Sequence, residues 1–221
     1  MTHSRLLCST MRLLAAGAAV FGISAPAQAQ FTVYTDVVPW TAALSQPPSS
    51  INFDDLPDLA PLVGVYAGVS FSAFNFGSPQ VAAYNFAHSG SNVVSLALPV
   101  LTGGGGGLAM NFASGQQGVA FWYLDSEFAG NGVALYGGAN QLLGSFEMVY
   151  PNPNPIGWRF VGFVDAGSDI RRVEVAIGAA DMVALDSLQL SAAVPEPASA
   201  ALLLAGLLLL ASRRGGHRAW R

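Results

Sequence analysis

Arg171-Arg172-Val173-Glu174-Val175-Ala176-Ile177 and Val119-Ala120-Phe121-Trp122-Tyr123-Leu124 decide how this chain is read. In the first, Val173, Val175 and Ile177 fall on one side of an extended chain and Arg172 and Glu174 on the other, the period of two that marks a strand with one face in water. The second is apolar at every position, so it belongs to a strand covered on both faces or to one whose outer face meets a ligand. Outward from these two, similar short runs recur, separated by Gly, Pro, Asn and Ser, roughly every eight to twelve residues as in antiparallel all-β domains. The pattern predicts strands near 31–35, 51–53, 69–74, 93–98, 108–112, 119–124, 133–136, 142–150, 158–164, 171–177 and 182–190. One short helix fits 37–44, with Trp40 and Leu44 four apart on one face. The glycine run 103–107 predicts a flexible connection and the proline-rich run 151–155 an exposed loop.

Composition narrows the function classes. All nine basic residues of the 221 are arginines, and residues 31–194 hold three of them against twelve Asp and Glu, a net charge of −9. Such a surface repels phosphate backbones, which excludes nucleic acid as the expected partner of the central domain. Cys8 is the one cysteine, so the domain has no disulfide framework and no thiol nucleophile. With no repeat in view, a single domain at 30–193 is expected.

The two ends read as addresses. Residues 1–29 combine Arg5 and Arg12, an apolar run over 13–23 and Ala27-Gln28-Ala29, the layout of a signal peptide cut after Ala29 by signal peptidase. At the other end, 194–221, Val194-Pro195-Glu196-Pro197 precedes an apolar stretch and then Arg213-Arg214. The 15 residues from Ala198 to Ser212 would span about 22 Å as a helix, short of a ~30 Å hydrocarbon core. The arginines hold the tail on the cytoplasmic side and leave the domain outside.

That order of Pro-Glu-Pro, apolar helix and arginine cluster resembles the PEP-CTERM sorting segment, also known as the ice-binding protein C-terminal domain. The resemblance implies processing by an exosortase after a transient stay in the inner membrane. Pro195, Glu196 and Pro197 would be the recognition element, and Arg213 with Arg214 the stop. Nothing in the segment speaks for ice binding, since 31–194 holds only Thr32, Thr35, Thr41 and Thr102. A second resemblance lies in Ile51-Asn52-Phe53-Asp54, Tyr66-Ala67-Gly68-Val69-Ser70-Phe71, Gly90-Ser91-Asn92 and Ala184-Leu185-Asp186-Ser187-Leu188. These are similar to jelly-roll domains found ahead of such tails and to jelly-roll carbohydrate-binding modules. The expected fold is therefore an all-β, antiparallel, jelly-roll-like sandwich between a signal peptide and one hydrophobic helix. The resemblance also implies a structural Ca²⁺, with Asp54 and Asp186 at the matching positions.

Groups that could carry chemistry are few. His88 is the one histidine between the ends, which leaves no imidazole pair for a catalytic zinc, and its plain reading is a surface loop residue. Asp125 and Glu127 would make a glycosidase pair only if another element completed the cleft. Asp54, Asp55, Asp58 and Asp186, with Asp125 as a further member, form the candidate all-oxygen site for Ca²⁺, and the alternative is that these are solvated or backbone-capping carboxylates. Two parities are open in the last strand: Leu188 and Leu190 inward would bury Asp186, whereas Val183 and Leu185 inward would leave it in water. Trp122, Tyr136 and Trp158 are the candidate sugar-stacking residues, from a stock that includes Tyr123 and Tyr150 with Asn131, Asn140 and Gln141 nearby. The first functional reading is an exported, non-enzymatic cell-surface or matrix protein associated with extracellular polysaccharide. The alternative is a Ca²⁺-dependent, lectin-like carbohydrate-binding module, and the least supported is a polysaccharide hydrolase.

Overall fold

The computed structural model describes residues 31–62, 64–74, 79–97, 106–124, 130–148, 157–167, 169–178, 182–192 and 205–207. The 19-residue strand β6 (Gly106–Leu124) runs through both layers of an antiparallel β-sandwich. Its first part pairs with β3 (Val69–Phe74) on one side and β10 (Ile170–Ile177) on the other; β7 (Gly132–Tyr136) and β8 (Leu142–Glu147) extend that layer. Its last part lies between β9 (Arg159–Asp165) and β11 (Met182–Ala192). In this second layer β1 (Phe31–Tyr34) flanks β9, while β5 (Asn92–Ala97) and β4 (Gln80–Ala83) extend from the first half of β11. Further along the same edge of β11 sits β2 (Ser49–Ile51).

The alternation at 171–177 plays out as expected, with Val173, Val175 and Ile177 buried and Arg172 and Glu174 on the outer face. They meet Leu108, Met110 and Phe112 of β6 and, across the sandwich, Phe121, Phe163 and Leu185 in one continuous core. Two expected strands, 108–112 and 119–124, prove to be one, because a second set of partners takes up the ladder from Gln116 onward. Gln116 pairs with Ile170 of β10 and with Ala192 of β11, and the Gln116 side chain bonds back to the Ser114 carbonyl at 3.0 Å. The glycine run is likewise corrected at its end: Gly106 and Gly107 open β6. A Cβ at Gly107 would overlap the Phe74 ring and the Val175 carbonyl, so glycine serves close approach there. Residues 101–105 lie outside the described residues.

β4 had no counterpart in the expected strands. Gln80-Val81-Ala82-Ala83 is short and bland, and pairing with β5 together with full burial of Val81 fixes it.

The expected helix forms as α1 (Val37–Ala42), capped by Asp36, whose side chain accepts from the Val38 N–H at 2.8 Å. α1 covers the outer face of the second layer. Trp40 is fully buried there against Phe160, and its indole donates to the Phe163 carbonyl at 3.2 Å. The sheet lets the ring in at Gly162, where a Cβ would stand 2.5 Å from Trp40 Cδ1. At Ala120 the doubly apolar strand is thus covered by the chain itself.

Both parities of β11 are realised, one in each half. Val183 and Leu185 point into the core before residue 186, and Leu188 and Leu190 after it. Between the Asp186↔Trp122 and Gln189↔Ala120 pairs the register shifts, so Ser187 and Leu188 together stand opposite Phe121. Ser187 is the extra residue of this bulge and takes a left-handed φ of 51°.

Candidate functional site

The bulge marks the place where β11 exchanges one edge partner, β5, for another, β2, and the chain segments leading to and from those strands meet over it. Asp186 and Trp122, register partners, face outward side by side. The β4–β5 connection then folds down on them: Tyr84 N–H bonds to the Ser91 carbonyl at 2.8 Å, and Ala87 N–H to Tyr84 at 3.0 Å. His88 stacks flat on the Trp122 indole, centroids 4.0 Å apart and 16° between planes. Trp158, just ahead of β9, meets His88 edge-on at 6.0 Å and donates its indole N–H to the Phe86 carbonyl at 2.5 Å. Phe86, 72% exposed, contacts Tyr84 edge-on. The result is an aromatic corner whose outer members are Phe86, His88 and Trp158, backed by Trp122 and Phe160.

Polar groups hold the corner from beneath. Asp186 is completely buried and accepts from Ser89 N–H at 2.7 Å, from the Ser89 hydroxyl at 3.1 Å, and from Ser187 N–H. Burial pushes its carboxyl above the usual range, while these donors and His88 pull it back. Ser187 Oγ lies 3.1 Å from Ser89 Oγ and 2.9 Å from His88 Nδ1. His88 is lowered by burial and raised by Asp186. Asp54 grips the other end of the same turn, accepting from Ser91 N–H at 2.7 Å and Asn92 N–H at 3.0 Å. Between the two carboxylates sits Gly90 at φ 53°, where a Cβ would run into the Asp54 carboxylate. Phe53, beside Asp54, and Ser187, beside Asp186, both have positive φ, so two strained non-glycine residues flank the turn.

The structure therefore brings Asp54 and Asp186 to one loop, in the backbone-capping role that was the alternative to a cation site. Both clamp backbone N–H groups. Asp58 likewise accepts from Ala83 N–H at 2.8 Å, and Asp55 from the Tyr66 hydroxyl at 2.6 Å, which with burial pushes that tyrosine up. A Ca²⁺ ion needs several oxygens converging on one point. Here the carboxylates of Asp54 and Asp186 face N–H donors, which oppose a cation, and among the described residues no group of three or more His, Cys, Asp or Glu is placed to hold a metal. This donor set does not fit a shared Ca²⁺.

Of the candidate stacking residues, Trp122 and Trp158 come together, with His88 between them and covering one face of Trp122. Tyr136 lies on the other layer, its ring 4.2 Å under the Arg172 guanidinium, which is itself 3.3 Å from Glu174. Burial and a hydrogen bond to Glu174 raise the Tyr136 phenol. Asp125, Glu127, Tyr150, the 151–155 loop, Pro195, Glu196, Pro197, Arg213 and Arg214 lie outside the described residues, as does the whole of 1–30. The residues that sequence reasoning missed are Phe86, Ser187 and the stacking role of His88. The one available signal was the pair Leu185 and Leu188, three apart in an otherwise alternating strand.

No family model matches the chain, and no curated protein matches it. Among solved structures it is similar to the K3 cleaved adhesin domain of Lys-gingipain from Porphyromonas gingivalis W83, at a TM-score of 0.40 and 12% identity over 66% of this chain and 98% of that one. It is also similar to TmCBM61 in complex with β-1,4-galactotriose, with a TM-score of 0.38 and 14% identity over 64% and 94% of the two chains. A family 11 carbohydrate-binding module of a Clostridium thermocellum cellulase gives 0.35 and 8% identity over 63% and 96%.

Proposed function

We propose that the domain is a non-catalytic glycan-binding module whose binding surface is the corner of Phe86, His88 and Trp158. One observation carries this reading: large aromatic rings stand at the surface, and a hydrogen-bonded turn holds them there. Aromatic side chains ordinarily bury their area, and a ring fixed at the surface with one face open is the surface on which a sugar ring stacks. Preorganisation matters because each side chain ordered on binding costs about 0.5–1.5 kcal/mol, a cost the folded turn has already met. The acidic surface, net −9 over 31–194, favours neutral sugars over uronates.

Export by signal peptidase and sorting by an exosortase are proposed on the sequence of 1–29 and 194–221 alone, and placement at the cell surface or in extracellular polysaccharide follows from them. Among the described residues, no helix is long and apolar enough to cross a membrane.

The test is calorimetric titration of the protein with β-1,4-galactotriose and with a mixed-linked β-1,3-1,4-tetrasaccharide, in Ca²⁺ and in EDTA. Saturable binding that survives EDTA is expected, since the carboxylates that clamp the turn accept from backbone N–H groups and not from a cation. Binding abolished by EDTA would restore the shared cation, and no heat with either sugar or with the host polysaccharide would remove the glycan reading. For sorting, a strain without exosortase should accumulate full-length precursor; unchanged processing there would contradict it.

A further inference from the structure

The hydroxyls between Asp186 and His88 have a direction that can be worked out from the buried end. Both oxygens of Asp186 receive backbone N–H groups, from Ser89 and Ser187, and an ionised carboxylate can only accept. Ser89 Oγ, 3.1 Å and 3.3 Å from those oxygens, therefore spends its one proton on the carboxylate. Its lone pairs then face Ser187 Oγ at 3.1 Å, so the Ser187 proton points to Ser89. What Ser187 offers His88 Nδ1, 2.9 Å away, is a lone pair, and the proton between them sits on the ring. A neutral imidazole has one N–H, which leaves Nε2 bare.

We propose that the Asp186–Ser89–Ser187 chain locks His88 with its proton on Nδ1, making Nε2 the hydrogen-bond acceptor of the aromatic corner and selecting a ligand that places a hydroxyl donor there. His88 is exposed, and the hydrogen bond described for its ring is at Nδ1. The second half of the proposal deepens the glycan reading and rests on it; the proton position does not. With its hydroxyl proton committed to Ser89, Ser187 gives His88 nothing to remove, so the Ser187–His88 pair is not an activated nucleophile.

Acid should switch the site. Protonation turns Nε2 from acceptor into donor, and the groups packed on the ring are neutral (Trp122, Trp158, Ser89, Ser187) apart from Asp186, whose charge lies behind Nδ1.

The experiment is long-range ¹H–¹⁵N correlation spectroscopy on the full chain at a pH where imidazoles are neutral, with His88 separated from His3 and His217 by comparison with His88→Phe. The expected spectrum shows His88 Nδ1 protonated and Nε2 bare, moving toward the Nε2-protonated form in Ser187→Ala. If that variant fails to fold, Ser187→Gly removes the same hydroxyl and suits the φ of 51°. A wild-type His88 protonated on Nε2, or a spectrum indifferent to loss of the Ser187 hydroxyl in a folded variant, would overturn the lock. The second arm titrates His88→Phe, which keeps a ring over Trp122, with galactotriose and the mixed-linked tetrasaccharide. At least a tenfold loss of affinity is expected, and unchanged affinity would overturn the acceptor role. A bare Nε2 in a protein that binds neither sugar overturns the selection step and the glycan reading, leaving the lock intact.

Discussion

Asp186→Asn replaces one carboxylate oxygen of a fully buried side chain with an NH₂ group and separates two opposed effects. In the native protein one carboxylate oxygen faces Ser89 N–H at 2.7 Å and the other faces Ser187 N–H. The Asn oxygen can keep one of these donors; its NH₂ group must then point at the other. A buried N–H stripped of its acceptor costs about 1–3 kcal/mol, and two donors set face to face bring the expected loss to about 2–4 kcal/mol. Against this stands the relief of neutralising a buried charge, the effect that pushes the Asp186 carboxyl above its usual range. A raised folded pKa means the group stabilises most below its unfolded pKa, and that stability is lost as pH rises through the folded one. The assay is urea denaturation followed by circular dichroism, at neutral pH and near pH 4. At neutral pH the variant should lose about 2–4 kcal/mol, a fall in melting temperature of roughly 5–15 °C for a domain of this size. It should also lose the contribution that rises on acidification. A variant as stable as wild type at neutral pH would show that charge burial outweighs the donor match, and the account of the turn would fail.

Gly162→Ala should destabilise by about 1–3 kcal/mol, because its Cβ would sit 2.5 Å from the buried Trp40 ring; unchanged urea midpoints would mean that α1 lifts off without cost. His88, with its pKa lowered by burial, stabilises the fold above its unfolded pKa and loses that contribution as pH falls through its folded pKa. Stability should therefore decline on acidification from about pH 6.5, and the decline should vanish in His88→Phe; a profile identical in both proteins would refute it. Gly90→Ala should loosen the turn by at least about 1 kcal/mol, since φ 53° and the Asp54 carboxylate both oppose a Cβ, and a normal melting temperature would contradict the clamp.

The strands were legible where alternation or an unbroken apolar run marked them. Strand β3 falls on 69–74 as read, and β10 begins one residue before the predicted 171. Tertiary pairing decided the rest. Ser114, Gly115, Gln116, Gln117 and Gly118 look like a turn, yet they remain in β6 because different partners take up the ladder on either side. β11 resisted a single parity because one residue, Ser187, is extra, and a bulge leaves in sequence only the displacement of Leu188 from the alternation begun by Val183 and Leu185. Acidic residues at 54 and 186 were found by resemblance, but whether a carboxylate faces a cation or an N–H depends on which loop folds over it. His88 and Trp122 are 34 positions apart, and no local pattern predicts that their rings stack.

The claim that sugar is bound at the aromatic corner is tested most directly by titrating the galactotriose and tetrasaccharide into Trp158→Ala and Tyr136→Ala side by side. Trp158 belongs to the corner, while Tyr136 lies under Arg172 on the opposite layer. Loss of an aromatic stacking partner costs about 1–3 kcal/mol by the measure of base stacking, so Trp158→Ala should bind at least about fivefold more weakly, and Tyr136→Ala should bind as wild type. Affinity lost in Tyr136→Ala and kept in Trp158→Ala would move the site to the other layer and contradict the account.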